Sequence, residues 1–195
     1  DLLNNIKDII GIHALLLIDQ EGGKVSRLPS PEWPQFPSSK TLAKLALKNI
    51  KTAKKAVFLN YALIGIELKE LGFNFNCAPV VDLYIKNSNQ IIGSRSFSSS
   101  AQLVSTLGYE ACQGLASAGI IPIIKHIPGH GRADVDSHLK LPVLNSKNKH
   151  FLNDIKPFKF LKSMPAAMTA HIKLQDLDPN FSVTHSKKII NKIIR

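Results

Sequence analysis

Three histidines, a lysine and two aspartates fall within the fourteen positions 125–138. The stretch reads Lys125-His126-Ile127-Pro128-Gly129-His130-Gly131, then Asp134, then Asp136-Ser137-His138. Pro128 and the two glycines force a loop directly after an apolar run, so these side chains do not stack along a helix. A lysine and a histidine at a strand end can donate hydrogen bonds to an anion or to sugar hydroxyls. Asp136 and His138, two apart on a loop, can pair so that the carboxylate orients and charges the imidazole for proton transfer. Two other readings stay open on these residues alone. The histidines can simply cap turns. Alternatively His126, His130, His138 and the aspartates can ligate a metal for a metal-dependent hydrolase, although Lys125 would set a cation against a cation.

A second constellation is Asp19-Gln20-Glu21-Gly22-Gly23-Lys24-Val25-Ser26-Arg27. Two adjacent glycines permit backbone angles and close approaches that other residues forbid. Asp19 leaves a strand end, where it can accept bonds from adjacent hydroxyls, and Arg27 can reach back as a donor or pair with Glu21. A turn dressed with surface ion pairs is the plainer alternative. The third signal is Gly93-Ser94-Arg95-Ser96-Phe97, in which Arg95 by itself reads first as a surface arginine.

The elements that must carry these groups alternate. Apolar strand-sized runs occupy 13–19, 73–82, 120–125 and 166–171, and helical periodicity occupies 2–10, 41–71, 101–118, 148–163 and 186–195. The second helix should break near Gly65 or Gly72, and a proline-rich loop with Trp33 covers 29–37. One strand per helix predicts a parallel sheet, which a doubly wound fold and a β/α barrel both satisfy. The strand endings favour the barrel. Asp19-Gln20-Glu21, Asp82, Lys125-His126 and His171 each close an apolar run, and barrel active sites are assembled from the C-terminal ends of several strands. No glycine-rich phosphate loop follows the first strand, which lowers the nucleotide-binding option. The expected fold is thus α/β, a partial (β/α)8 barrel with about four central units, as one domain over 1–195.

Totals exclude other classes. The chain has 195 residues, 44% of them hydrophobic, and no apolar run approaches the roughly 18 residues of a membrane span. The formal charge of +11 invites a nucleic-acid reading, but the lysines are scattered over helix sides and a Lys, Ile and Asn bias explains them. No nucleic-acid partner and no membrane are expected. Cys77 and Cys112 lie in apolar runs without a close motif and read as free, buried thiols of a reducing compartment.

Taken together, the segments resemble glycoside hydrolase family 3. Asp-Gln-Glu-Gly-Gly at Asp19 with arginine eight positions on, Ala78-Pro79-Val80-Val81-Asp82, and Gly93-Ser94-Arg95-Ser96-Phe97 are similar to family segments. So is Ala167-Met168-Thr169-Ala170-His171. The most specific match is Lys125-His126 with Pro-Gly-His-Gly, four residues, then Asp-Ser-His, which resembles the β-N-acetylglucosaminidase branch. The resemblance implies His138 as acid/base with Asp136 as its orienting partner. It implies Asp19, Arg95, Lys125 and His126 around N-acetylglucosamine, Arg27 supporting that wall, and His171 near the sugar. His130 and Asp82 then structure the loop, and Ile127, where many relatives carry an aromatic, alters packing only. No cofactor and no metal are implied. The implied substrate is an N-acetylglucosamine-containing muropeptide fragment in the cytoplasm.

A retaining glycosidase also needs a carboxylate nucleophile about 5 Å from the acid/base. In the family it sits in a Ser-Asp-Asp-like segment, and neither Asp176 nor Asp178 matches it. The expectation is therefore a middle piece of a barrel, without the first two strands and inactive alone, for which a separate chain is a candidate source of the remaining strands. A non-catalytic sugar-binding remnant is the alternative from another class.

Overall fold

The computed structural model describes residues 2–11, 14–137, 139–147 and 150–194. His13, at the start of the first expected strand, and His138 lie outside them. The chain opens with helix α1 (Leu2–Ile10) and strand β1 (Leu17–Ile18). A long turn then leads to α2 (Ser39–Ala43), where the Ser38 side chain accepts from Thr41 N–H as an N-cap.

The helix expected over 41–71 is divided. A 3-10 turn, Lys44–Leu47, follows α2, and the long α3 (Ile50–Leu71) starts afresh because Asn49 caps it, accepting from the N–H groups of Lys51 and Thr52. The break predicted at Gly65 does not occur. That glycine lies where an added Cβ would come within 2.7 Å of Ala118 Cβ, so it serves helix packing, and α3 ends at Gly72 in the left-handed region (φ 97°).

Next come β2 (Phe75–Asn76), α4 (Ala101–Ser117, capped by Ser100) and β3 (Ile121–Ile127). The run expected as a strand over 73–82 has a regular ladder at only two residues, since Pro79 has no N–H to give. It still tracks β3 as far as Val81. Lys125 N–H donates to Pro79 O (3.2 Å) and Val81 N–H to Lys125 O (2.9 Å). Asp82 is thereby delivered beside the end of β3.

The helix expected over 148–163 becomes two short ones, α5 (Phe151–Asp154) and α6 (Lys156–Phe160), because Pro157 cannot continue the first. Strand β5 (Ala166–Thr169) follows, two residues shorter than the 166–171 run. Strands β4 (Val143–Leu144) and β6 (Lys173–Leu174) form a small parallel pair that the sequence did not suggest. The final helical stretch is α7 (Lys187–Ile189) running into a wider π-turn at Ile190–Ile194.

The main sheet has the order β1-β2-β3-β5, parallel throughout. Each strand lies beside the next one in this sheet along the chain, with no reversal of order. A doubly wound sheet would show a switch point, so this is an arc of a β/α barrel. Helices α3 and α4 cover its outer face, burying Val57, Tyr61, Ile64 and Leu68 against Val104, Leu107, Ala111 and Leu115. A second apolar cluster of Phe151, Ala170, Ile172, Leu174, Val183 and Ile189 seats the β4–β6 pair. Cys77 and Cys112 are buried free thiols, and burial pushes the Cys112 thiol up to about 12. Among the described residues no helix is long and apolar enough to cross a membrane.

Candidate active site

The ends of β1, β3 and β5 on one side of the arc open into a cavity of about 310 Å³. Asp19 reaches it from the end of β1. Gly22 and Gly23, both at positive φ, turn the chain straight afterwards, and they pass so close to Pro37 and Ser38 that a Cβ would lie within 2.7 Å of each. That turn brings Glu21 and Arg27 back to the same wall. Arg95 comes from the 3-10 turn Gly93–Arg95, and Lys125 and His126 come from β3, where pairing with β5 shifts register between Lys125 and Ile127. Such a bulge re-aims side chains at a strand end.

At the centre stands a four-membered charge cluster. Lys125 Nζ lies 2.7 Å from Asp19 Oδ1 and 2.6 Å from Glu21 Oε1. Arg95 donates to Glu21 through Nε (2.9 Å) and Nη2 (2.8 Å), a bidentate fork. Glu21, with its side chain 2% exposed, is saturated by three donors and braces the two cations. Asp19 differs. Its side chain is 37% exposed, and among the described residues its second oxygen meets only Arg27 Nη2 at a distant 3.9 Å, which leaves acceptor capacity turned to the cavity. Arg27 therefore pairs with Asp19, which corrects the expected alternative of a pair with Glu21. Arg95 is no surface residue, since its side chain is only 11% exposed.

Burial alone would push the Asp19 and Glu21 carboxyls up, but the Lys125 and Arg95 bonds and charges outweigh it and hold both below the ordinary carboxylate range. Asp82, wholly buried, behaves alike. It is held down against its burial by His126 and by the His130 N–H. Its Oδ2 sits 2.7 Å from His126 Nδ1 and accepts from His126 N–H, while Oδ1 accepts from His130 N–H at 2.6 Å. Asp82 thus orients the His126 ring, leaving Nε2 as the nitrogen turned away from it, and pins the loop that follows.

The cavity gathers six of the predicted site residues: Asp19, Arg27, Arg95, Lys125, His126 and His171. His171 sits at the exposed rim with its ring 5.8 Å from that of His185, edge to face. Asp136 does not line the cavity. It shapes the loop, its carbonyl accepting from the N–H groups of Leu139 and Lys140, while the adjacent Ser137 does line the cavity. His138 lies outside the described residues. Sequence reasoning missed Glu21 as the hub, along with Thr169 and Met168 on the floor. The one signal for Glu21 was its place two residues after Asp19. Among the described residues no group of three His, Cys, Asp or Glu side chains is gathered to hold a metal ion.

An arc of parallel β/α units with a polar, cation-braced cavity at its strand ends places the candidate site where barrel folds assemble theirs. The chain belongs to glycosyl hydrolase family 3, whose N-terminal domain matches residues 2–195. It is 36% identical over 178 residues to beta-hexosaminidase A of Pseudoalteromonas piscicida, covering 88% of this chain and 29% of that protein. It is 34% identical to the beta-hexosaminidase of Psychromonas ingrahamii, covering 91% of this chain and 52% of that one. A crystal structure of NagZ from Neisseria gonorrhoeae in complex with N-trifluoroacetyl-D-glucosamine superposes with a TM-score of 0.91 at 29% identity, over 100% of this chain and 57% of the other. The chain spans about half the length, or less, of these relatives.

Proposed function

We propose that this segment carries the sugar-binding and acid/base half of an exo-β-N-acetylglucosaminidase. The observation that supports it most is the convergence of Asp19, Arg27, Arg95, Lys125, His126 and His171 on one cavity of monosaccharide size. Asp19 accepts from adjacent sugar hydroxyls, Lys125 and Arg95 donate to them, and His126 donates or accepts through Nε2. His171 at the rim borders the leaving group. In this reading His138 protonates the glycosidic oxygen as the bond to the anomeric carbon breaks, with Asp136 orienting the imidazole. A carboxylate from another part of the whole protein takes the sugar as a covalent ester. His138 then removes a proton from water, which displaces that carboxylate and releases N-acetylglucosamine. The substrate class is N-acetylglucosamine-containing saccharides of the muropeptide kind. Free buried cysteines fit a reducing compartment, and the cytoplasm is the proposed site of action.

The test uses the full-length protein with and without His138→Ala, on an aryl N-acetylglucosaminide with an activated leaving group and on an unactivated disaccharide. General acid help is typically worth about 10²–10⁴-fold. The variant should lose that much on the disaccharide and much less on the first step of the activated substrate. Equal losses on both would remove His138 from the acid role. N-acetylglucosamine binding without any turnover would leave a non-catalytic sugar-binding protein.

A further inference from the structure

His130 has no part in the chemistry described above, yet it lines the same cavity. The residue is 4% exposed, its backbone N–H is held by Asp82 Oδ1 at 2.6 Å, and its ring lies 5.7 Å from the His126 ring. Both ring nitrogens, Nδ1 and Nε2, are buried without a hydrogen-bond partner among the described residues. An unpaired buried polar atom is costly, and here there are two on one ring. The loop does not need them, because its anchor to Asp82 is the backbone N–H, which any residue but proline supplies. A polar group that the fold leaves unsatisfied at a ligand cavity finds its partner in what enters the cavity.

The kind of partner follows from the ring. Burial holds His130 below the ordinary histidine range, against the pull of the Asp82 charge, so the ring is neutral where its neighbours Lys125 and Arg95 are cationic. A neutral imidazole offers one donor and one acceptor, and a hydroxyl also donates and accepts. A carboxylate or a phosphate, acceptors only, would satisfy it half as well. We infer that His130 is a substrate-contacting, specificity-determining residue whose ring bonds a hydroxyl of the sugar in the cavity. This rests on the sugar reading of the site.

The experiment is calorimetric titration of the full-length protein with N-acetylglucosamine and with its 3-, 4- and 6-deoxy analogues, for wild type and His130→Leu. The leucine variant removes both ring nitrogens at similar bulk. Its sugar-free melting temperature should be unchanged or raised, and its affinity for N-acetylglucosamine should fall about tenfold, the size of one buried hydrogen bond. Against one deoxy analogue, the one lacking the contacted hydroxyl, wild type and variant should bind equally. Unchanged affinity for N-acetylglucosamine, or a uniform loss across every analogue, would overturn the contact and return His130 to a structural role. Should His130→Leu not fold, the same cycle with His130→Phe, which also lacks both ring nitrogens, decides by the same pattern. Asp19→Ala separates the two readings. If wild type binds the sugar, Asp19→Ala loses it and His130→Leu keeps it, only this inference falls. If wild type binds no N-acetylglucosamine, the sugar reading falls first.

Discussion

Glu21 shows how one side chain can govern a site without facing the ligand. Its two oxygens take three charge-assisted bonds from Arg95 and Lys125 in a space closed to water. Removing its charge would leave two buried cations short of a partner, and breaking a buried ion pair from one side costs about 3–5 kcal/mol. Glu21→Gln should therefore lower stability by about that much at pH 7, read as the shift in the urea midpoint. The pH dependence has a definite sign. The folded Glu21 pKa lies below its ordinary 4.5, so its contribution is fully present above that value and is lost as pH falls through the folded value. The gap between wild type and Glu21→Gln should accordingly narrow below about pH 4.5. A gap that stays constant down to pH 3 would mean that Glu21 is not the ionised hub. Its place two residues after Asp19 is a local signal that a turn carboxylate would share. Its partners are 74 and 104 positions away, and only folding decides that they meet.

At the level of elements, the support of the site is the α3–α4 pair, and its closeness depends on small residues. Gly114 of α4 lies so near α3 that a Cβ would run into the Phe58 carbonyl oxygen, with Ala62 N at 3.0 Å and Tyr61 Cβ at 3.1 Å. Alanine is the better helix former by about 1 kcal/mol, but overpacking against backbone costs about 1–3 kcal/mol. Gly114→Ala should thus be net destabilising by about 1–2 kcal/mol in thermal or urea unfolding; a stabilised variant would show that the helices separate freely. Periodicity located these helices because their apolar faces repeat every three or four residues. It misjudged their limits where a single group decides, as with the Asn49 cap and the Pro157 break. The strand runs were placed correctly, but how much of each joins a regular ladder depends on neighbours far along the chain, as Pro79 against Lys125 shows.

The molecule as a whole is an arc whose outer strands are β1 and β5. On β1 and its approach, Leu15 is 67% exposed and Leu17 47%, so an apolar face and a strand edge unpaired among the described residues coincide. Residues 1–195 should therefore self-associate in light scattering, and co-expression with a segment that supplies further barrel strands should suppress this. A monodisperse monomer with cooperative unfolding would contradict the picture of an open arc. Order along the chain, not tertiary contact, made the class of fold legible, since alternating apolar runs with polar endings can be read from composition and period alone. The strand-end members of the cavity, Asp19, Lys125, His126 and His171, were legible for the same reason, because a polar group at a strand end has only one side of a barrel to face, whereas Arg95 entered only through the family resemblance. What the sequence left undecided is which charges neutralise one another. Arg27 turned to Asp19 rather than Glu21, Glu21 became the brace, and the His130 ring was buried without a partner among the described residues. Coulomb attraction and desolvation depend on distances and burial in space, and the register of β1, β2 and β3 sets those distances across a hundred residues of chain.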